Sequence, residues 1–529
     1  MKTSHAAQGS ISGKIMKNTA YNILGKLWWI LIAIFLTPYI VSKIGIERFG
    51  VWAIVGVITG YFGLLDFGIG MSFIKYIAEF HTKGEYDKIN RLIDTGFTLY
   101  AIFAFMCFSL VFILRGPILK LLNVPVYLHH EAGIVLLIGI ALFGAANAMS
   151  PFLAIQGGLQ RMDISNKIGI GLSVINIAGT VYFLECGYGI IGLMVNNVIV
   201  FTVMAVINVI AAHKLIPAIR FRAFHLDKLI FRKLFSFGYN MQISKISGLI
   251  SAQTDKILIS CFLSIGLVTF YQLGSSIVYN ACSFAYVLSS ALMPAFSEID
   301  ALGDRARLVE AYLRSVKYLS FFTVPVFIFM AISAGEIMFI WMGFGYGQSV
   351  LVIQVLAFAL LVYTLAQSSS SVSAAIGKPQ LLAMGSLIII FLNVILSAVF
   401  IKAFGFLGAA WGTLIAVNVG TVYFLNQLHK DIRVSTRSYI GTTVPFFLAC
   451  AAATAVIFVV WNILGRFVNF SGIGRLWSMA FFLARGTIFL LTYFLCVKAL
   501  SPFRAKELEV IREKIPVLGS VMVKMISRQ

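Results

Sequence analysis

Residues 248–271 read "GLISAQTDKILISCFLSIGLVTFY". The stretch is apolar enough for lipid, yet Asp255 and Lys256 stand side by side within it and Lys245 comes just before it. A water-facing surface around a core of this size needs many polar side chains, and this 529-residue chain is 60% hydrophobic and only 12% charged. Apolar runs of about 20 residues, the length of a helix that crosses a bilayer, recur from end to end. Fourteen are read, at 17–42, 46–72, 92–114, 131–155, 163–186, 189–212, 233–262, 265–296, 313–334, 349–376, 379–401, 406–427, 438–463 and 474–499. Pro38, Pro151, Pro294 and Pro325 fall within these runs, where proline kinks a helix. The expected fold class is all-α, a polytopic membrane protein.

The net charge of +21 raises the question of nucleic acid, and its distribution answers it. With the N-terminus inside, and residues near span ends counted with the adjoining segment, thirty Lys and Arg lie inside, seven outside and four deep within spans, out of 41. That bias is the positive-inside pattern of a membrane protein with both termini cytoplasmic. No nucleic-acid partner is expected. The first apolar run is too long for a signal-peptide core and is expected to remain as a helix. The six cysteines sit in apolar runs without CxxC spacing, and no catalytic or phosphate-cradling motif occurs, so neither metal nor cofactor is expected. The longest stretch between spans, His213 to Phe231, leaves no room for an ATPase or glycosyltransferase domain.

The chain repeats itself. "SKIGIERFGVW" (42–52) matches "LSIGLVTFYQL" (263–273), pairing Gly45 with Gly266. "EFHTKGEYDKINRLIDTG" matches "EIDALGDRARLVEAYLRS", pairing Gly84 with Gly303, and "GYGIIGL" matches "AFGFLGA", pairing Gly189 with Gly405. The offsets are 221, 219 and 216 in the same order, which points to a duplication of six helices. Six is even, so both copies have the same orientation. The expected organisation is a lead at 1–16, one lobe at 17–212, a linker at 213–232, a second lobe at 233–427, two further helices at 438–499 and a basic amphipathic tail at 500–529.

Four stretches, "LLDFGIGMSFIKYIAEFHTKGEYDKINRLI", "TDKILISCFLSIGLVTFYQLG", "LMPAFSEIDALGD" and "LNVILSAVFIKAFGFLGAAWGTLIA", resemble the polysaccharide transporter family. That family holds flippases of lipid-linked repeat units, within the multidrug/oligosaccharidyl-lipid/polysaccharide exporter superfamily. The resemblance implies two six-helix lobes around a central cavity, alternating access, and export of a polyprenyl-diphosphate-linked oligosaccharide across the cell's inner membrane. Membrane lipids and other polysaccharide assembly proteins are the further partners it implies.

Helical geometry addresses the opening stretch. At 100° per residue, Lys245, Gly248, Ala252, Asp255 and Lys256 fall within an arc of about 100°. A buried charge at bilayer depth costs about 3 kcal/mol, so three on one face imply a side bordering water. Asn18, Asn22, Lys26, Ala33 and Thr37 form a similar arc on the first helix, and Gly56, Thr59, Gly63, Asp66 and Gly70 on the second. These faces are expected to line a cavity. The 221-residue offset carries Lys26 to position 247, two residues from Lys245. Lys26 and Lys245 are therefore candidates to hold a diphosphate, with Lys256 as a second station. Asp66 and Asp255 are candidates to exchange a coupling ion, and Arg485 to meet a lipid headgroup. Plainer roles stand beside these: Asp66 as a helix cap or partner of Lys75, and Asp255 or Lys256 in a structural ion pair.

Three function classes follow. A lipid-linked oligosaccharide flippase suits an excess of mid-span cations (Lys26, Lys245, Lys256 and Arg485 against Asp66 and Asp255). A multidrug exporter of the same superfamily would favour carboxylates for cationic substrates. A glycan polymerase or ligase would be expected to carry its catalytic groups on sizeable external loops, which are absent here; an enzyme is not expected.

Overall fold

The computed structural model describes residues 2–63, 69–290, 292–464 and 474–503, with side chains described from residue 25 on and not for 71, 236–252, 287, 288 and 290. Among the described residues the regular structure is helical throughout. The chain divides into two compact units, 1–269 and 270–529.

The first unit holds α1 (Lys2–Phe62), α2 (Ile69–Thr82), α3 (Tyr86–Leu121), a 3-10 turn at Val126–Leu128, α4 (His129–Gly158), α5 (Met162–Glu185), α6 (Gly189–Leu215) and α7 (Lys228–Phe262). The loops between α3 and α6 are a few residues long, which makes successive helices antiparallel neighbours; α3 packs on α4 and α5 on α6. α1 is continuous except at Gly45, whose φ of 81° and ψ of 170° break it between the two spans read at 17–42 and 46–72. Only glycine holds that backbone without strain. α7, which the repeat places first in the second lobe, packs in this unit against α1, α2 and α3.

α8 (Ile265–Ser290) begins in the first unit and continues into the second. The second unit then holds α9 (Met293–Ala301), α10 (Arg305–Ile332), α11 (Ala334–Met342), α12 (Gly347–Leu365), α13 (Gln367–Ala375), α14 (Pro379–Phe404), α15 (Leu407–Ile432), α16 (Thr436–Leu464) and α17 (Arg475–Leu500). α14 and α15 meet backbone to backbone: a Cβ on Gly420 would stand 2.6 Å from Gly385 O, the close approach small residues permit in lipid.

Each unit has an apolar core, and the two cores are built from equivalent positions. Ile77, Ile89 and Ile93 in the first correspond at an offset of 219 to Phe296, Leu308 and Tyr312 in the second. Ala212 and Ile216 correspond at 216 to Leu428 and Ile432. Two of the three repeated turns share their backbone as well, with φ of 71° at Gly84 against 70° at Gly303, and 54° at Gly189 against 68° at Gly405, whereas Gly45 at 81° has no left-handed counterpart at Gly266.

Eleven segments among the described residues are long and apolar enough to cross a membrane. The first of them carries the Gly45 break, and the long helices outside that set, α7 and α8, are those whose apolar runs are interrupted by polar and charged residues. Large side chains point away from both cores: Phe35 is 76% exposed, Phe105 72% and Leu495 67%. An apolar exterior of this extent requires lipid around it, and the protein is a multi-span membrane protein.

Candidate functional site

α7 starts where Asp227 caps it. The Asp227 carboxylate accepts from the amides of Leu229 and Ile230 at 2.9 and 3.2 Å. The Ile230 amide, assisted by Leu229 and the Arg91 guanidinium, holds this carboxyl below the usual carboxylate range. Its own amide donates to Thr95 Oγ1 at 3.1 Å, which anchors the cap to α3. Further along, Ser72 Oγ donates to Leu234 O at 3.0 Å and holds α2 against the helix.

The far end of α7 is tied down equally firmly. Asn123, in the loop after α3, donates from Nδ2 to the carbonyls of Ser260 and Cys261 at 3.2 and 2.7 Å. These are last-turn carbonyls that lack helical partners of their own. Ser260 Oγ donates to Leu122 O. Beyond the helix, Thr269 Oγ1 donates to Ile46 O at 2.6 Å, and a Cβ on Gly50 would stand 2.1 Å from Ile265 O.

Between these anchors lies a turn in which Thr254, Asp255 and Lys256 are 8%, 1% and 4% exposed. Thr254 Oγ1 shares a 2.7 Å hydrogen bond with the hydroxyl of Tyr61, in the last turn of α1. Lys256 Nζ donates to Gln253 Oε1 at 2.8 Å. The Asp255 carboxylate lies near enough to act electrostatically on both the Tyr61 phenol and the Lys256 ammonium. A carboxylate and an ammonium are thus buried together, each meeting the other's field where the dielectric is low. This buried charge cluster is the candidate site, and all of its members belong to the first unit.

Of the residues singled out in the sequence, Asp255 and Lys256 are brought together with Tyr61, Gln253 and Thr254, which sequence reasoning missed. Lys26 is half-buried on α1, beside Gly25 and Trp28; Trp28 Nε1 donates to Ser173 Oγ at 2.8 Å and seats this part of α1 on α5. Asp66 lies outside the described residues, and the side chain of Lys245 lies outside the described side chains. Arg485 is 14% exposed and pairs with Glu336 on α11, donates to Ile332 O at 3.3 Å and covers the Trp461 ring at 5.6 Å. The side chain expected at a lipid headgroup is thus held inside its own unit.

Two buried polar nodes also escaped the sequence reading. Asn196 Nδ2 donates to Asn176 O and Oδ1 at 3.0 Å each and to Thr180 Oγ1 at 3.1 Å, joining α6 to α5. In the second unit Asn393 Nδ2 donates to Thr413 Oγ1 at 2.9 Å, beside Ser397, joining α14 to α15. Asn176, Thr180 and Asn196 correspond at one offset, 217, to Asn393, Ser397 and Thr413. Signals existed for both: a polar residue in the middle of an apolar run, repeated at the offset already visible in the glycines.

Solved structures define the class of this fold. The chain is similar to Lipid II flippase MurJ, with 17% identity, 92% of this chain and 98% of that chain covered, and a TM-score of 0.68. It is also similar to an inward-facing multidrug resistance MATE family transporter of the MOP superfamily, with 14% identity, 79% and 96% covered, and a TM-score of 0.66. The fold is therefore the MurJ/MATE fold of multi-span membrane proteins. The family model for polysaccharide biosynthesis proteins matches residues 15–300, and the chain belongs to that family. Among its relatives, a candidate O-antigen transporter of Shigella flexneri is 25% identical over 400 residues, which cover 75% of this chain and 93% of that protein.

Proposed function

We propose that this protein is a flippase that carries a polyprenyl-diphosphate-linked oligosaccharide, the repeat unit of an O-antigen, capsule or exopolysaccharide, across the inner membrane by alternating access. The observation that carries the reading is the alignment to the candidate O-antigen transporter along 93% of its length, inside a family described by polysaccharide biosynthesis. In this reading the protein transports and does not catalyse, and both termini are cytoplasmic.

The charged residues of α1 and α7 support an anionic substrate. Lys26 and Lys245 hold the diphosphate, since two ammonium groups in a dehydrated site interact with it more strongly than in bulk water. Lys256 is the second station, and reaching it requires the turn around Gln253 to open, a minor state that substrate binding would select. Asp66 and Asp255 exchange the coupling cation. The likeness to a MATE fold supports a second reading, export of cationic drugs. The excess of lysine over carboxylate on these helices favours the first.

Deleting the gene in its host tests the proposal. Surface polysaccharide is expected to disappear while its lipid-linked precursor accumulates on the inner leaflet, and the wild-type gene is expected to restore export. Retained polysaccharide together with new sensitivity to cationic dyes would replace the flippase by the drug exporter.

A further inference from the structure

We propose that a cavity inside the second unit binds one hydrocarbon chain of a phosphate-headed amphiphile. The cavity has a volume of about 320 Å³, within the range of about 300–1,000 Å³ typical of small-molecule sites. One wall is a single face of α10: Ala311, Ser315, Leu319 and Phe322 recur at intervals of three and four and run along about 16 Å of helix. Phe296 and Ile299 of α9 supply apolar surface on another side. The lining is largely apolar and follows about three turns of α10, which suits a hydrocarbon chain.

Its polar features point to the other half of the ligand. Ser289 and Ser368 line the cavity at 2% and 0% exposure, and neither hydroxyl has a hydrogen-bond partner. A buried hydroxyl without a partner is costly, and an ester or phosphate oxygen reaching it would remove the cost. Water is a poorer occupant, because a buried water makes about three hydrogen bonds and the remaining lining is largely apolar. Arg314 also lines the cavity, with a side chain 43% exposed. Its Nη2 donates to Glu310 Oε1 at 2.7 Å, so a phosphate at this guanidinium competes with a carboxylate. Arg305 on the same stretch is already paired with Asp300 at 3.9 Å, so Arg314 is the cation that the cavity itself presents to a headgroup. Two sources share this chemistry: a membrane glycerophospholipid and a polyprenyl phosphate. The cavity belongs to the second unit, whereas the buried charge cluster of α7 belongs to the first.

Photolabelling of the purified full-length protein tests the proposal. One set of phosphatidylcholine vesicles carries phosphatidylglycerol with a diazirine on its acyl chain; a second carries a diazirine-bearing polyprenyl phosphate; a third carries diazirine-bearing phosphatidylcholine. Labels are expected on 292–299 and 311–322 above the level on the lipid-facing surface of α3 and α17. Ala311→Trp, which fills the cavity, should lower them about tenfold, and Arg314→Gln should weaken labelling by the anionic probes alone. Labelling by phosphatidylglycerol assigns the site to a structural lipid, and labelling by the polyprenyl probe alone assigns it to a substrate chain. Wild-type labelling of these peptides no stronger than on α3 and α17 overturns the proposal, as does undiminished labelling of Ala311→Trp. Should that variant not fold, Ser315→Phe takes its place, and the wild-type comparison decides by itself.

Discussion

The Tyr61 hydroxyl meets Thr254 Oγ1 at 2.7 Å, joining the second half of α1 to the turn of α7 that buries a carboxylate and an ammonium. The bond closes the charge cluster on one side, while Asn123 fixes the end of α7 on the other. The two charges of the turn lie within each other's electrostatic reach.

Neutralising one of them should therefore be worse than neutralising both. Asp255→Ala or Lys256→Met is expected to lower stability by about 3 kcal/mol or more, since a buried charge is left uncompensated. The double variant is expected to recover most of the loss. Thermal unfolding of purified protein in detergent measures both, and single variants as stable as wild type would remove the coupling.

The paired-lysine hypothesis rests on Lys26 and Lys245 lying within two residues of equivalent positions in the two repeats. Lys26→Ala or Lys245→Ala should abolish surface polysaccharide export at unchanged protein abundance. Arginine at either position should retain part of it, because charge matters more than fork geometry. Wild-type export by a well-expressed double alanine variant would dispose of the clamp.

Ion coupling is a separate question. If Asp66 and Asp255 exchange the driving cation, Asp66→Asn combined with Asp255→Asn should uncouple transport from the proton or sodium gradient. Flux in reconstituted vesicles that still follows an imposed gradient would count against them.

The two asparagine nodes should behave alike because they occupy equivalent places in the two units. Asn196→Ala and Asn393→Ala should each destabilise by about 1–3 kcal/mol, as donors and acceptors on the facing helix lose their partners. They share no partner, so the double variant should show the sum. Unfolding midpoints of the three variants check this.

Asp227→Ala removes the cap of α7 and should cost about 1 kcal/mol. The folded carboxyl lies below its ordinary value through the Ile230 and Leu229 amides. Its contribution is therefore complete above the unfolded pKa and fades as pH falls through the folded one. The stability gap between wild type and variant should accordingly narrow on acidification, and a gap that widens in acid would contradict the assignment.

The helical class and the repeat were legible because both write themselves in periodic apolar residues and in glycines that only a left-handed backbone requires. The pairing of Gly84 with Gly303 is visible in sequence and again in φ. The charged turn was legible as a polar arc, but its environment was not: Tyr61 lies 193 residues from Thr254, and no local pattern announces such a neighbour. The same holds for Arg485. Its place in an apolar run suggested lipid, while its partner Glu336 was hidden in a short connection taken to face outside. Asn176 and Asn393 went unread because a single amide in an apolar run leaves no periodic trace; only the repeat offset singles them out.

The clasp of Arg485 on Glu336 also orders the making of the protein. The two residues are separated by 149 positions. At a synthesis rate of roughly 5–20 residues per second, Glu336 waits about 7–30 s for its cation. During that time α11 stands without α17, which later packs on it, and Arg475, which donates to Met342 O at 3.2 Å, arrives just ahead of Arg485. The packing of α11 is thus completed only with the last helix. Until α17 is made, the Glu336 carboxylate on α11 is without the guanidinium that it meets in the finished chain.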